Sequence, residues 1–195
     1  MSELDLKPAA EQMARLLEGV RDDALDSATP CPRYCLRDLI GHVGGFALAF
    51  KAAAEKDLGD MTSQPPAVRE TVLELGWRQR IVGDLEALAD AWRAPAAWQG
   101  MTQAGGVELP GEIAGRVALD ELVVHGWDIA MATGQPYHCA DTMLREVEAT
   151  VRQFRGDSQG DVPGLFGPVV DVPPESPPLE RLLGLTGRDP AWSPG

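Results

Sequence analysis

Positive charge is scarce in this sequence: 17 lysines and arginines stand against 30 aspartates and glutamates, a net charge of −13. Such a surface repels a phosphate backbone, whose capture depends on clustered Lys and Arg, so nucleic acid is excluded as a partner. Long apolar runs are missing too. No window approaches the roughly 18 to 20 apolar residues of a membrane span, and the opening MSELDLKPAAEQMARLL carries acids where a signal peptide carries a basic stretch. Cysteine is limited to three residues, an odd number without a framework spacing, which fits a reducing compartment. The expectation is a soluble cytoplasmic protein whose partner is a small molecule. There is no internal repeat and no low-complexity tract.

What is present is enough for one domain with a real core: 195 residues, 44% of them hydrophobic, broken by 21 glycines and 16 prolines. Over residues 4–26, Ala9, Met13, Leu16, Leu17 and Val20 recur at steps of three and four, which predicts a first helix. Turn formers at 27–34 precede a second helix from Cys35 to about Lys56. Pro65 and Pro66 suit the first turn of a third and longest helix, with Val68, Val72, Leu75, Val82, Leu85, Leu88 and Trp92 in period to about residue 93. Residues 94–111 read as a loop with at most a short extended piece. A fourth helix runs from Gly111 to Ala132, stopped by Gly134 and Pro136, and a fifth spans about 140–155. From Gly156 onward glycine and proline dominate, apart from a helical pattern at Leu179–Leu185. The tail holds too many apolar residues, among them Leu165, Phe166, Val169, Val170 and Trp192, for a free linker. The expected organisation is an all-α bundle over 1–155, built on four principal helices, with a tail over 156–195 wrapping the same domain.

The fourth helix carries the chemistry. One face collects Ala114, Val117, Ala118, Glu121, Val124, His125, Asp128, Ile129 and Ala132, so three ionisable groups lie inside an apolar stripe. Burying such groups unpaired is costly, so something must pair, ligate or neutralise them. Glu121 and His125 are four apart, with β-carbons roughly 5–6 Å from each other, close enough for a carboxylate oxygen and an imidazole nitrogen to share a metal. His42, on a face of the second helix with Leu39, Gly45, Phe46 and Ala49, offers a third ligand, and Gly41, Gly44 and Gly45 would let another helix approach closely. Two imidazoles and a carboxylate suit Zn, Ni, Fe or Mn better than Ca or Mg, and three protein ligands leave a position open for water or substrate. Asp38 and Asp128, each a helical turn or less from a ligand, are the candidates to orient an imidazole or act as a base. The same spacings also serve an ordinary i,i+4 pair and a core histidine bonded to a carbonyl. Cys31 and Cys35 fit neither a redox motif nor a zinc knuckle. Arg33, Arg37 and Arg116 are available to bind a carboxylate.

The residues resemble the DinB-like bundle proteins, specifically the branch similar to the N-terminal domain of mycothiol-dependent maleylpyruvate isomerase. The likeness rests on Thr29-Pro30-Cys31, on LRDLIGHVGG at 36–45, on LDELVVHGWDIAMATGQP at 119–136 and on the tail FGPVVDVPPESPPLERLLGLTGRDPAW at 166–192. The resemblance implies a four-helix bundle, often dimeric, with an extra helix and a tail packed on it. It also implies a divalent metal, zinc first and nickel second, held at positions that correspond to His42, Glu121 and His125. In several branches that metal activates a low-molecular-weight thiol such as mycothiol, so thiol transfer or thiol-assisted isomerisation is the expected activity. Metal-dependent hydrolysis with Asp128 or Asp38 as base, and a non-catalytic metal- or small-molecule-binding module, are the alternatives. The isomerase adds a C-terminal domain that this Pro-rich tail does not resemble.

Overall fold

The computed structural model describes residues 4–64 and 72–194. Its helices are α1 (Lys7–Glu18), α2 (Leu36–Glu55), α3 (Asp60–Ser63), α4 (Trp77–Ala91), α5 (Gly111–Thr133), α6 (Asp141–Arg155) and α7 (Pro178–Leu185). Both α1 and α2 pack against α4 and α5, so the four form a closed ring in the order α1, α4, α2, α5, with α6 laid on α5 and α7 on α6. This is the four-helix bundle with added helices that the resemblance implies. The apolar stripes explain it: Met13 and Leu17 of α1, Leu39, Ile40 and Val43 of α2, Ile81, Leu85 and Leu88 of α4, and Leu119 and Leu122 of α5 meet in one buried cluster. None of the described helices is long and apolar enough to cross a membrane.

Three elements differ from expectation. The first helix stops at Glu18; Arg21 is extended and a separate 3-10 turn occupies Asp22–Ala24. Asp22, Asp23, Asp26 and Ser27 compete for the backbone and favour turns over helix interior. The start of the third helix, at Pro65, Pro66 and Val68, lies outside the described residues. Val72 and Leu75 are described; they are not helical and stand exposed. Here α4 begins only at Trp77, after Gly76 takes a left-handed conformation at φ 81°, which cuts the apparent period. The longest helix is therefore α5, with 23 residues. Lastly, the stretch between α4 and α5 is not a plain loop. It holds a 3-10 turn (Pro95–Trp98) and an antiparallel hairpin of β1 (Met101–Ala104) and β2 (Val107–Pro110), turned by Gly105 and Gly106 with positive φ.

The helix α5 is buried on nearly every side, because α1 and α2 cover one flank and α6 another. The tail contributes Phe166 and Leu182 to the bundle's apolar cluster. Buried Arg155 ties it down, donating to the carbonyls of Ser158, Gly160 and Gly167. Glycine spacing on α2 works at one position and not at another. Gly44 leaves just room for Ile81 of α4, whereas Gly45 faces open space, so its absence of a side chain brings no helix closer.

Candidate metal centre

The segment before α2 sets up one wall of the site. Thr29 Oγ1 donates to the carbonyls of Cys31 (3.0 Å) and Tyr34 (2.8 Å), folding the proline-rich turn back on itself. That loop delivers Tyr34 onto His42, with ring centroids 5.1 Å apart and an interplanar angle of 19°. Phe46, one turn further along α2, meets the same imidazole edge-on at 5.5 Å. His42 is thus held between two aromatic rings and buried, with Nε2 directed at α5.

On α5 the i, i+4, i+7 spacing puts Glu121, His125 and Asp128 on one stripe. Glu121 Oε2 lies 3.0 Å from His42 Nε2 and 3.2 Å from His125 Nε2, and the three candidate ligand atoms all fall within 4.8 Å of one another. Tetrahedral ligands about 2.1 Å from an ion are about 3.4 Å apart, so the cluster matches the size of a first coordination sphere. Among the described residues this is the only group of three or more such side chains close enough to hold an ion. His125 Nδ1 donates to Asp128 Oδ2 at 2.9 Å, which leaves Nε2 as the nitrogen that faces Glu121. His42 is supported differently: its Nδ1 is buried and has no hydrogen bond among the described residues.

The electrostatics follow from these contacts. Burial pulls the His42 pKa down, against the pull of Glu121. Burial acts on His125 in the same direction, but hydrogen bonds to Asp128 and Glu121 overcome it and raise the pKa to about 9. Burial alone would raise the Glu121 carboxyl; its two histidine partners instead hold it well below the ordinary range. Asp120, next to Glu121, is buried with Oδ1 unpartnered among the described residues, and burial first, then Glu121, push it up to about 7 against the weaker pull of Arg188 and His125.

Two residues of the centre carry no mark in the sequence reading. Tyr34 is one. Arg188 is the other: it comes from the tail, is buried, and donates to both oxygens of Asp128, from Nε to Oδ1 at 3.4 Å and from Nη2 to Oδ2 at 3.0 Å. The only hint of it was indirect, in that an aspartate on an apolar stripe demands a partner. The remaining candidates are placed as follows. Asp38 lies on α2 one turn before His42, and its Oδ2 accepts from the Cys35 thiol at 3.4 Å. Arg37 pairs with Asp26, and Arg116 with Glu146 and Glu112, whereas the Arg33 guanidinium stands over the Tyr34 ring at 5.7 Å.

A family model described as the mycothiol maleylpyruvate isomerase N-terminal domain matches residues 6–130, more than half of the chain and the whole of the four-helix ring apart from the last residues of α5. The chain belongs to this family. Two solved structures, the mycothiol-dependent maleylpyruvate isomerase and a point mutant of it, superpose with a TM-score of 0.62 over 80% of this chain and 70% of theirs. At 18% and 19% identity that likeness is one of fold, and it identifies the bundle as DinB-like. An uncharacterized protein of Mycobacterium tuberculosis, found in two strains, is 29% identical over 190 residues, covering 92% of this chain and 93% of the relative. All three candidate ligands, His42, Glu121 and His125, lie inside the segment matched by the family model; Arg188 lies beyond it.

Proposed function

We propose that this member of the maleylpyruvate isomerase N-terminal-domain family is a metal-dependent enzyme, with His42, Glu121 and His125 holding one divalent ion and a low-molecular-weight thiol as co-substrate. The observation that carries the reading is the convergence of two imidazole nitrogens and one carboxylate oxygen within 4.8 Å, on two helices whose packing fixes them. That donor set suits zinc, and nickel next. Mycothiol, named in the family description, is the thiol to try first.

When bound, the ion lowers the pKa of a thiol at its open position and so supplies a nucleophile near neutral pH. The chain's own residues do the rest. Asp128 keeps the His125 proton on Nδ1, so that Nε2 can serve as a ligand. Tyr34 and Phe46 exclude water from the face of His42. Arg33, the one of the three candidate arginines without a carboxylate partner among the described residues, is suited to hold a carboxylate on an electrophilic substrate. Thiol transfer and thiol-assisted isomerisation both fit such a site. Hydrolysis with Asp128 as base fits less well, because both its oxygens already accept hydrogen bonds.

The test is metal content by mass spectrometry on protein purified without a metal-affinity tag, for the wild type and for His42→Ala and His125→Ala. About one ion per chain, lost in both variants, is the expected result. A wild type that takes up no zinc or nickel when offered either would sink the reading. Turnover of carboxylate-bearing electrophiles with and without mycothiol then separates thiol chemistry from hydrolysis.

A further inference from the structure

Arg188 is buried in the tail, 60 residues from the aspartate it contacts. Its position is set by local backbone chemistry. The helix α7 ends in a Schellman motif: Gly187 N donates to the Gly184 carbonyl at 3.1 Å and Arg188 N to the Leu183 carbonyl at 2.9 Å, with Gly187 at φ 81°. A side chain at Gly187 would also collide with the backbone of Gly167 and Pro168. The turn is therefore pinned from two sides, and it aims the guanidinium inward. Arg188 Nη1 donates to the Thr186 carbonyl, and Nε and Nη2 form a fork on Asp128.

We infer that Arg188 is a positioning residue for the metal centre, fixing the plane of the Asp128 carboxylate and, through it, the ring of His125. A two-point fork removes the rotation that a single contact leaves open, and so sets the direction from which Oδ2 meets His125 Nδ1. Nothing equivalent supports His42, whose Nδ1 has no hydrogen bond among the described residues. His125 is thus the ligand whose orientation a chain of hydrogen bonds sets, whereas packed rings hold His42, and a residue outside the segment matched by the family model completes that chain. The inference rests on the metal reading above for its consequence, though not for its geometry.

The experiment compares full-length wild type with Arg188→Gln, Arg188→Lys and Arg155→Gln. Arg155 is the control, an equally buried arginine at the end of α6 whose hydrogen bonds go only to tail carbonyls. Zinc affinity is read by competition with a chromophoric chelator, and the solvent exchange of the His125 Nδ1 proton by nitrogen-15 spectroscopy of zinc-free protein. Arg188→Gln is expected to weaken zinc binding by about 10- to 100-fold and to speed the exchange. Arg155→Gln is expected to lower stability and leave both readouts at wild-type values. Equal loss of affinity in the two variants, or none in Arg188→Gln, overturns the inference. Should Arg188→Gln not fold, Arg188→Lys is read in its place: it keeps the charge and loses the fork, so a smaller loss of affinity and faster exchange support the inference, and wild-type values for both overturn it. A wild type that binds no zinc refutes the metal reading alone, and proton exchange then decides: unchanged rates in the Arg188 variants overturn the positioning role.

Discussion

His125 lies between two carboxylates, donating from Nδ1 to Asp128 and facing Glu121 across 3.2 Å with Nε2, and that arrangement has a thermodynamic sign. Its folded pKa of about 9 lies above the ordinary value of 6.5, so the stabilisation is complete below about pH 6.5 and is lost as pH rises through 9. Asp120 acts in the same sense. Its folded pKa of about 7 exceeds the ordinary 3.8, so its ionisation costs progressively more from pH 3.8 up to 7 and a constant amount above. At these two groups the folded chain binds more protons than the unfolded one, whereas His42, whose pKa burial lowers from the ordinary 6.5, acts in the opposite sense below neutral pH. Metal-free protein should therefore have a lower urea midpoint at pH 9 than at pH 7, and a midpoint that rises between them would contradict the placement of His125 between its carboxylates. A second prediction concerns Asp128. Asp128→Asn keeps the shape and leaves Arg188 buried without its counter-charge, a loss of about 3–5 kcal/mol, with zinc affinity down by about 10- to 100-fold; denaturant melts and chelator competition measure the two. At this scale the sequence was informative where chemistry clashes with its surroundings. An acid and a histidine on an apolar stripe call for an explanation, and so Glu121, His125 and Asp128 stood out. Arg188 and Tyr34 did not, because an arginine in a tail and an aromatic in a turn are unremarkable until the chain brings them to Asp128 and His42.

Elements with a long, uninterrupted apolar period were legible, and those fixed by one backbone angle were not. The bounds of α2, α5 and α6 were read to within a residue or so because caps and breakers flank them, as Gly134 does beyond α5. The third helix was drawn too long at its described end because Val72 and Leu75 happen to keep period across Gly76, where the backbone turns left-handed. The hairpin of β1 and β2 was legible only as a short extended piece in a loop, since four-residue strands give almost no alternation to count. That hairpin follows two interlocked tryptophans that wedge α5 in place. Trp92 Nε1 donates to the Phe50 carbonyl and Trp98 Nε1 to the Trp92 carbonyl, so neither ring is free to move. Gly115 of α5 lies against both; a β-carbon there would sit 2.5 Å from Trp98 and 2.8 Å from Trp92. Gly115→Ala is expected to destabilise the bundle by about 1–3 kcal/mol through overpacking, read as a lower urea midpoint with an unchanged slope. A neutral Gly115→Ala would mean that the tryptophan pair yields more easily than its hydrogen bonds imply.

At the scale of the whole molecule, the question is whether the tail is a wrapper or a working part. Its apolar residues were visible in the sequence, but the sequence could not say where on the bundle they dock. In the structure Phe166 and Leu182 join the same buried cluster as the bundle helices, Arg155 closes the loop by its carbonyl bonds, and Arg188 reaches the stripe of α5 that carries Glu121 and His125. Core and centre therefore share one set of contacts, which argues for a single cooperative unit. Two consequences separate this from a bundle with a loosely attached strap. The chain should unfold in one transition, with tryptophan fluorescence and helical ellipticity giving the same midpoint. Phe166→Ala, which removes a buried ring stacked near the Arg155 guanidinium, should lower the global midpoint by an amount equivalent to about 3–5 kcal/mol. In a loosely attached strap the same substitution would free the tail alone: the bundle would keep its midpoint, and a protease would clip the chain after Arg155 while the remainder stayed folded. The first pattern makes docking of the tail part of the same folding step as the bundle, so that Arg188 meets Asp128 whenever the chain is folded, while the orientation of Asp128 itself rests on the Arg188 fork.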